Sequence, residues 1–269
     1  MKNLEKKIVC AIVSLILCAC SVASIFSFAK TKDVQKATSS EHPFGNIFSG
    51  VYGVSNSVFG KVIFTDDEGT IYKLKNGHLA VKQPDVDVFE YKDELKDLKE
   101  FLDAKGIGYS FVMTAECGDE RQGKLPLGIK TNNCERVMGD FSAMLESLDI
   151  KYIDTYKELV ATNRNYYDYF FKTDHHWNDE AGLYLAEVLA KHLNENYSLN
   201  LDLSLFSLDN HYKKTYPKHM FGSLGKKVGN GYALPKTSRC ICQNMKQVLR
   251  FCKKTERART LIVLFTKMI

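Results

Sequence analysis

The chain has 269 residues, 45% hydrophobic and 26% charged, the balance of a globular protein rather than a disordered or fibrous one. Its formal charge of +5 does not describe a nucleic-acid surface. Nine Lys or Arg against Glu256 alone fall in Leu234–Ile269, which leaves the body from Lys30 to Ala233 mildly acidic.

Lys2, Lys6 and Lys7 precede an uncharged run from Ile8 to Ala29. As a helix that run is roughly 33 Å long at about 1.5 Å per residue, enough to span a bilayer. The positive flank keeps the amino end cytoplasmic, so the chain beyond Ala29 is expected outside the membrane, anchored or cleaved after Ser27-Phe28-Ala29. Residues 1–29 therefore read as a signal peptide or signal anchor, and 30–42, polar and Ser/Thr/Lys-rich, as a linker. A folded domain is expected over 43–233, followed by a basic tail of atypical composition over 234–269.

Lys61–Thr65 and Thr70–Leu74, separated by Asp66-Asp67-Glu68-Gly69, predict a hairpin. Asp93–Lys105 predicts a helix with Leu95, Leu98, Phe101 and Leu102 on one face, stopped by Gly106. Tyr109–Ala115 is a buried-type strand. Asn133–Leu148 is a second helix with Val137, Met138, Phe141, Met144, Leu145 and Leu148 inward, and Lys151–Tyr156 a second strand. Tyr167–Phe171 reads as a short aromatic third strand, and Asn178 as the cap of a long helix burying Leu185, Val188, Leu189 and Leu193. The order predicts a layered α/β domain with a mostly parallel sheet, whose ligands collect at the carboxyl ends of the strands.

Cys117 and Cys134 flank a Gly/Pro-containing loop and either bridge it or remain two buried thiols. Cys240-Ile241-Cys242 lacks the spacing of a zinc knuckle, so no metal is read there. Asp119-Glu120-Arg121 reads as a solvated loop tip, and His211 and His219 as surface residues.

The loop Phe171-Lys-Thr-Asp174-His175-His176-Trp177-Asn178 lies between a strand and a helix N-terminus. A carboxylate two residues from an imidazole can take its Nδ1 proton and leave Nε2 as a base, which makes Asp174 and His176 the candidate catalytic pair. His175 is expected to face away, since neighbours in extended chain alternate sides, so a metal held by both histidines is not expected. Trp177 and the aromatics from Tyr166 to Phe171 are expected to pack beneath the loop.

Thr-Asp-His-His-Trp-Asn, followed by Glu180-Ala-Gly-Leu-Tyr184, resembles the bacterial DHHW protein family, related to the SGNH-hydrolase-like domain of alginate O-acetylation proteins. The likeness extends to Phe111–Ala115, Leu125-Pro126-Leu127, Tyr152–Leu159 and Gly222–Gly229. It implies a three-layer, flavodoxin-like α/β domain preceded by a hydrophobic helix, with Asp174 orienting and His176 acting as base beside a serine. It also implies acetyl-ester chemistry on an exported polysaccharide, as O-acetyltransferase or esterase, and neither cofactor, metal nor nucleic-acid partner. The alternative is a non-catalytic, polysaccharide-binding envelope protein. The serine expected in a Gly-Asp-Ser turn does not occur, and the family-like pattern stops at Gly231-Tyr-Ala233, so the chain reads as a truncated or frame-shifted member. Ser223, in Phe221-Gly-Ser-Leu-Gly225, is expected to serve the loop rather than to attack.

Overall fold

The structure, a computed structural model, describes residues 45–67, 69–233, 236–243 and 261–266. The apolar run 8–29, the linker, and much of the basic tail lie outside them. Among the described residues no helix is long and apolar enough to cross a membrane.

Helix α1 (Gly45–Val58) leads into the expected hairpin, β1 (Ile63–Asp66) and β2 (Gly69–Lys73), in antiparallel register from Ile63 opposite Tyr72 to Asp66 opposite Gly69. A third strand, β3 (Leu79–Val81), adds to β2; three residues are too few for an alternating pattern to show in sequence. Phe64, Ile71 and Leu79 pack on Leu224, Val228 and Ala233, which ties this small sheet to the far end of the domain.

The main layer holds α2 (Lys92–Ala104), β4 (Gly108–Met113), α3 (Cys134–Ser147), β5 (Tyr152–Asp154), α4 (Thr155–Ala161) and α5 (Asp179–Tyr197). α2 opens on Asp93 and Glu94, where the dipole favours anions, and Gly106, with φ +64, comes just after its end. Leu102 is buried and Leu95 and Leu98 half-buried, but Phe101, expected on the same face, is 59% exposed. In α3 the whole expected stripe packs inward. β5 is shorter than expected because the Asp154 carboxylate accepts from the N–H groups of Tyr156 (3.1 Å) and Lys157 (3.2 Å) and starts α4 at once.

β4 pairs in parallel with β5, from Phe111–Tyr152 to Met113–Asp154, and with β8 (Leu261–Thr266), giving the order β5-β4-β8. Residues of the basic tail thus form a sheet strand, and another, β7 (Lys236–Gln243), pairs antiparallel with β6 (His211–Met220). Helices cover both faces of the parallel sheet. Phe111 meets Phe141 of α3 edge-on at 5.7 Å, while Ser110, pointing the other way, hydrogen-bonds His192 Nε2 (2.9 Å) and Tyr197 OH (2.8 Å) of α5.

One expectation is corrected here and one open alternative is decided. Tyr166–Tyr169 is a 3-10 turn, not a strand: the Asn165 side chain accepts from Tyr167 N–H at 3.2 Å and bends the chain, leaving only a Phe170–Trp177 bridge. Its aromatics are core nonetheless, with Tyr166, Tyr167, Tyr169 and Phe170 all buried. Cys117 and Cys134 are free and buried, and burial pushes both thiols up, so they sit as inert apolar groups.

Candidate active site

The turn after Phe170 is pinned at both ends. Asn178 N–H donates to Tyr169 O (2.9 Å), and the Asn178 side-chain oxygen accepts from Glu180 N–H and Ala181 N–H (3.1 Å each), capping α5 as expected. Trp177 packs half-buried against the core and donates from Nε1 to Ala115 O at 3.1 Å, just past the carboxyl end of β4. The turn therefore stands where an α/β sheet places its ligands.

Within it Asp174 is 4% exposed. Its Oδ2 accepts Ser223 N–H (2.6 Å), and its Oδ1 accepts His176 N–H (3.0 Å) together with His176 Nδ1. Burial alone would raise this carboxyl, but the hydrogen bonds from Ser223 and His176 outweigh it and lower it to about 2. An ionised carboxylate only accepts, so His176 Nδ1 carries the proton and Nε2 is left with its lone pair. The His176 side chain is 67% exposed, so the ring is open to solvent.

His175 does not face away. Its Nδ1 lies 3.6 Å from Asp174 Oδ1 and 3.2 Å from Ser223 Oγ, and its ring lies beside that of His176, centroids 3.8 Å apart. The alternation rule holds for extended chain, and residues 172–176 are bends and turns.

A second loop holds the first. Gly225 N–H donates to Thr173 O (2.9 Å), and Ser223 begins the short helix α6 (Ser223–Val228) with its N–H on Asp174. Gly222 makes the approach possible, having φ +71 and an α-carbon so close that a Cβ would stand 2.1 Å from Thr173 O.

A family model described as the SGNH hydrolase-like domain of the acetyltransferase AlgX matches residues 76–232, more than half of the chain. The chain belongs to this AlgX-type SGNH hydrolase-like family. Among curated protein sequences no relative matches. Among solved structures, Bacillus cereus PatB1 with a sulfonyl adduct is 18% identical with a TM-score of 0.51, over 68% of this chain and 57% of that one. The O-acetyltransferase domain of Pseudomonas putida AlgJ is 13% identical with a TM-score of 0.50, over 65% of each chain. Pseudomonas aeruginosa AlgX is 16% identical with a TM-score of 0.42, over 64% of this chain and 43% of that one. The chain spans less than two thirds of the length of each, and the first two likenesses show the mixed α/β fold.

In this AlgX-type domain the Asp119-Glu120-Arg121 triplet is no solvated tip. Asp119 is 1% exposed and takes a forked pair from Arg121 (Nε to Oδ1 2.9 Å, Nη2 to Oδ2 2.6 Å), whose guanidinium lies 3.5 Å over the Tyr156 ring. Glu120 accepts from the N–H groups of Asn132, Cys134 and Glu135 at 3.3, 3.2 and 3.0 Å, capping α3 where Asn133, at φ 62, makes no side-chain cap. Nothing in the spacing of these three charges marked a long-range cap. His211 is half-buried with Nδ1 2.8 Å from Ser207 O, and the His219 side chain lies outside the described residues.

His78 is a titratable group the sequence did not single out. Burial first, then the nearby Lys172 charge, lower its ring to about 4, and it lies against Tyr167 at 5.1 Å, next to Leu79, whose N–H donates to Lys172 O (2.9 Å) at the start of the turn. Its folded value lies below its unfolded one, so the unfolded chain binds the extra proton first and stability falls as pH drops from about 6.5 to about 4. Discounted for partial exposure, the expected loss is about 1–2 kcal/mol. Urea melts across this range should show that slope in the native chain and a flatter one in His78→Gln.

Proposed function

We propose that this domain performs acetyl-ester chemistry on an exported polysaccharide, cleaving an ester or moving the acetyl group to a sugar hydroxyl, with Asp174 orienting His176 as general base. The observation that carries the reading is the hydrogen bond between a buried, ionised Asp174 and an exposed His176 ring. The family and the likeness to the O-acetyltransferase domain of AlgJ support the reaction class.

In the cycle that the family resemblance implies, a serine hydroxyl attacks the acetyl carbonyl while Nε2 of His176 takes its proton, and the imidazolium, stabilised by Asp174, returns it to the departing sugar oxygen. This sequence has no Gly-Asp-Ser, so the chain is read as supplying the acid and the base of that cycle while lacking its serine. The acyl-serine is then discharged by water or a second hydroxyl, deprotonated by the same nitrogen. Ser223 is read as a positioning residue, because its hydroxyl sits 3.2 Å from His175 Nδ1 and its N–H holds Asp174. Ser223→Ala, which keeps that N–H, is expected to retain most of any esterase activity.

The N-terminal Lys residues and apolar run support export with anchoring or cleavage, and the family match over residues 76–232 lies within the proposed domain 43–233 and supports reading 234–269 as outside the family pattern. The absence of a Gly-Asp-Ser triplet supports a second reading, a polysaccharide-binding envelope protein without turnover. Hydrolysis of p-nitrophenyl acetate separates the two: turnover that disappears in His176→Ala supports the enzyme. Polysaccharide retention without turnover supports the binder.

A further inference from the structure

We propose that Asp174, His175, His176 and the Ser223 hydroxyl form a site for a borderline divalent transition ion, Zn2+ in the first instance, whose occupancy excludes the Asp174–His176 hydrogen bond. The site is argued from geometry and stands without the acyl-transfer reading; only its consequence for turnover rests on that reading.

The carboxylate and the two imidazoles each offer an atom, and these lie within 4.8 Å of one another. With metal–ligand bonds of about 2.0–2.2 Å, a tetrahedral Zn2+ separates its N and O ligands by roughly 3.3–3.6 Å. Two pairs already stand close to that: His175 Nδ1 to Ser223 Oγ is 3.2 Å, and His175 Nδ1 to Asp174 Oδ1 is 3.6 Å. The third pair, His176 Nδ1 and Asp174 Oδ1, is hydrogen-bonded and must open by about 1 Å to admit an ion. That motion costs little packing, since the His176 side chain is 67% exposed while Asp174 stays held by Ser223 N–H. One fixed anion and two imidazole nitrogens suit Zn2+, Co2+ or Ni2+, whereas Mg2+ and Ca2+ prefer an all-oxygen shell.

The proton balance defines the consequence. In the free protein His176 Nδ1 carries the hydrogen; a metal needs that lone pair, so the ring exchanges its proton through water and becomes the Nε2–H tautomer. No net proton leaves the neutral ring, but Nε2 no longer has a lone pair. The loaded protein therefore has no base at His176.

The test is isothermal titration of the tag-free full-length chain with ZnCl2 in a non-coordinating buffer, repeated with CoCl2 while recording visible absorption. One ion per chain is expected, with the intense absorption of tetrahedral Co2+. His175→Ala should weaken binding at least tenfold, His175→Gln likewise, and His211→Ala not at all; near-UV circular dichroism confirms that each variant is folded. Absence of stoichiometric binding, unchanged affinity in folded His175→Ala, or purely octahedral Co2+ would overturn the site. Since no ester is present, the two readings fail separately. Zinc binding without p-nitrophenyl acetate turnover removes the acyl chemistry and leaves the site, turnover in a chain that binds no zinc removes the site and leaves the chemistry, and turnover equal in the zinc-loaded and chelator-treated protein overturns the exclusion of the Asp174–His176 hydrogen bond.

Discussion

Gly222→Ala is expected to be the most damaging single-methyl change in the described part of the domain. At φ +71 and ψ +159, a region essentially reserved for glycine, an L-residue costs about 1–3 kcal/mol by itself, and the new Cβ would stand 2.1 Å from the oxygen and 2.6 Å from the carbon of the Thr173 carbonyl. Both obstacles are backbone, so no rotamer change relieves them. The two loops must part, which gives up Gly225 N–H to Thr173 O and Ser223 N–H to Asp174 Oδ2. We expect a loss of about 3 kcal/mol or more, about 10 °C in Tm for a domain of this size, and loss of any ester turnover at temperatures where the variant is still folded. Gly139→Ala is the control: it lies within α3, its added Cβ meets nothing within 4 Å, and alanine there should be neutral or stabilise by up to about 1 kcal/mol. Equal melting temperatures for Gly222→Ala and the native chain would show that the two loops are not locked together.

Asp174→Asn should reduce turnover by about 10^3- to 10^4-fold if His176 is the base, because an amide can present its NH2 to the ring and favour the tautomer whose proton is on Nε2. The same substitution probes stability. The carboxyl is lowered from 3.8 to about 2, so its ionised form contributes about 2 kcal/mol that is fully present above pH 3.8 and is lost as pH falls through 2. Acid unfolding followed by circular dichroism should show this lowest step in the native chain and not in Asp174→Asn. Full activity in the variant would remove the orienting role of Asp174, and an identical acid profile would remove its contribution to stability.

Much of the architecture was legible because amphipathic helices announce themselves over many residues. The α3 stripe from Val137 to Leu148 and the Asn178 cap both lie where hydrophobic spacing and cap chemistry place them. The misreadings share a cause, a local signal overridden by a partner far along the chain or by a turn. Tyr167–Phe171 has the aromatic content of a strand, but Asn165 bends it into 3-10 form. The three charges at 119–121 resemble solvated chain until Asn132, Cys134 and Tyr156 come to meet them. At the site, the Asp174–His176 pairing came from spacing alone, whereas the place of His175 depended on the bent backbone at 172–176 and on Ser223, 48 positions away.

That last dependence bears on the order in which a newly made molecule matures. A ribosome releases Thr173 and Asp174 well before it has joined Gly222, Ser223 and Gly225, whose amides and close backbone hold them. Until then the nascent acid is a solvent-facing group on a loose hairpin of aromatics, with no reason to stay aligned on its neighbour. Alignment of the acid on its neighbour is thus deferred until the chain through Gly225 has been made, and a polypeptide that travels unfolded would reach its destination with this turn still unassembled.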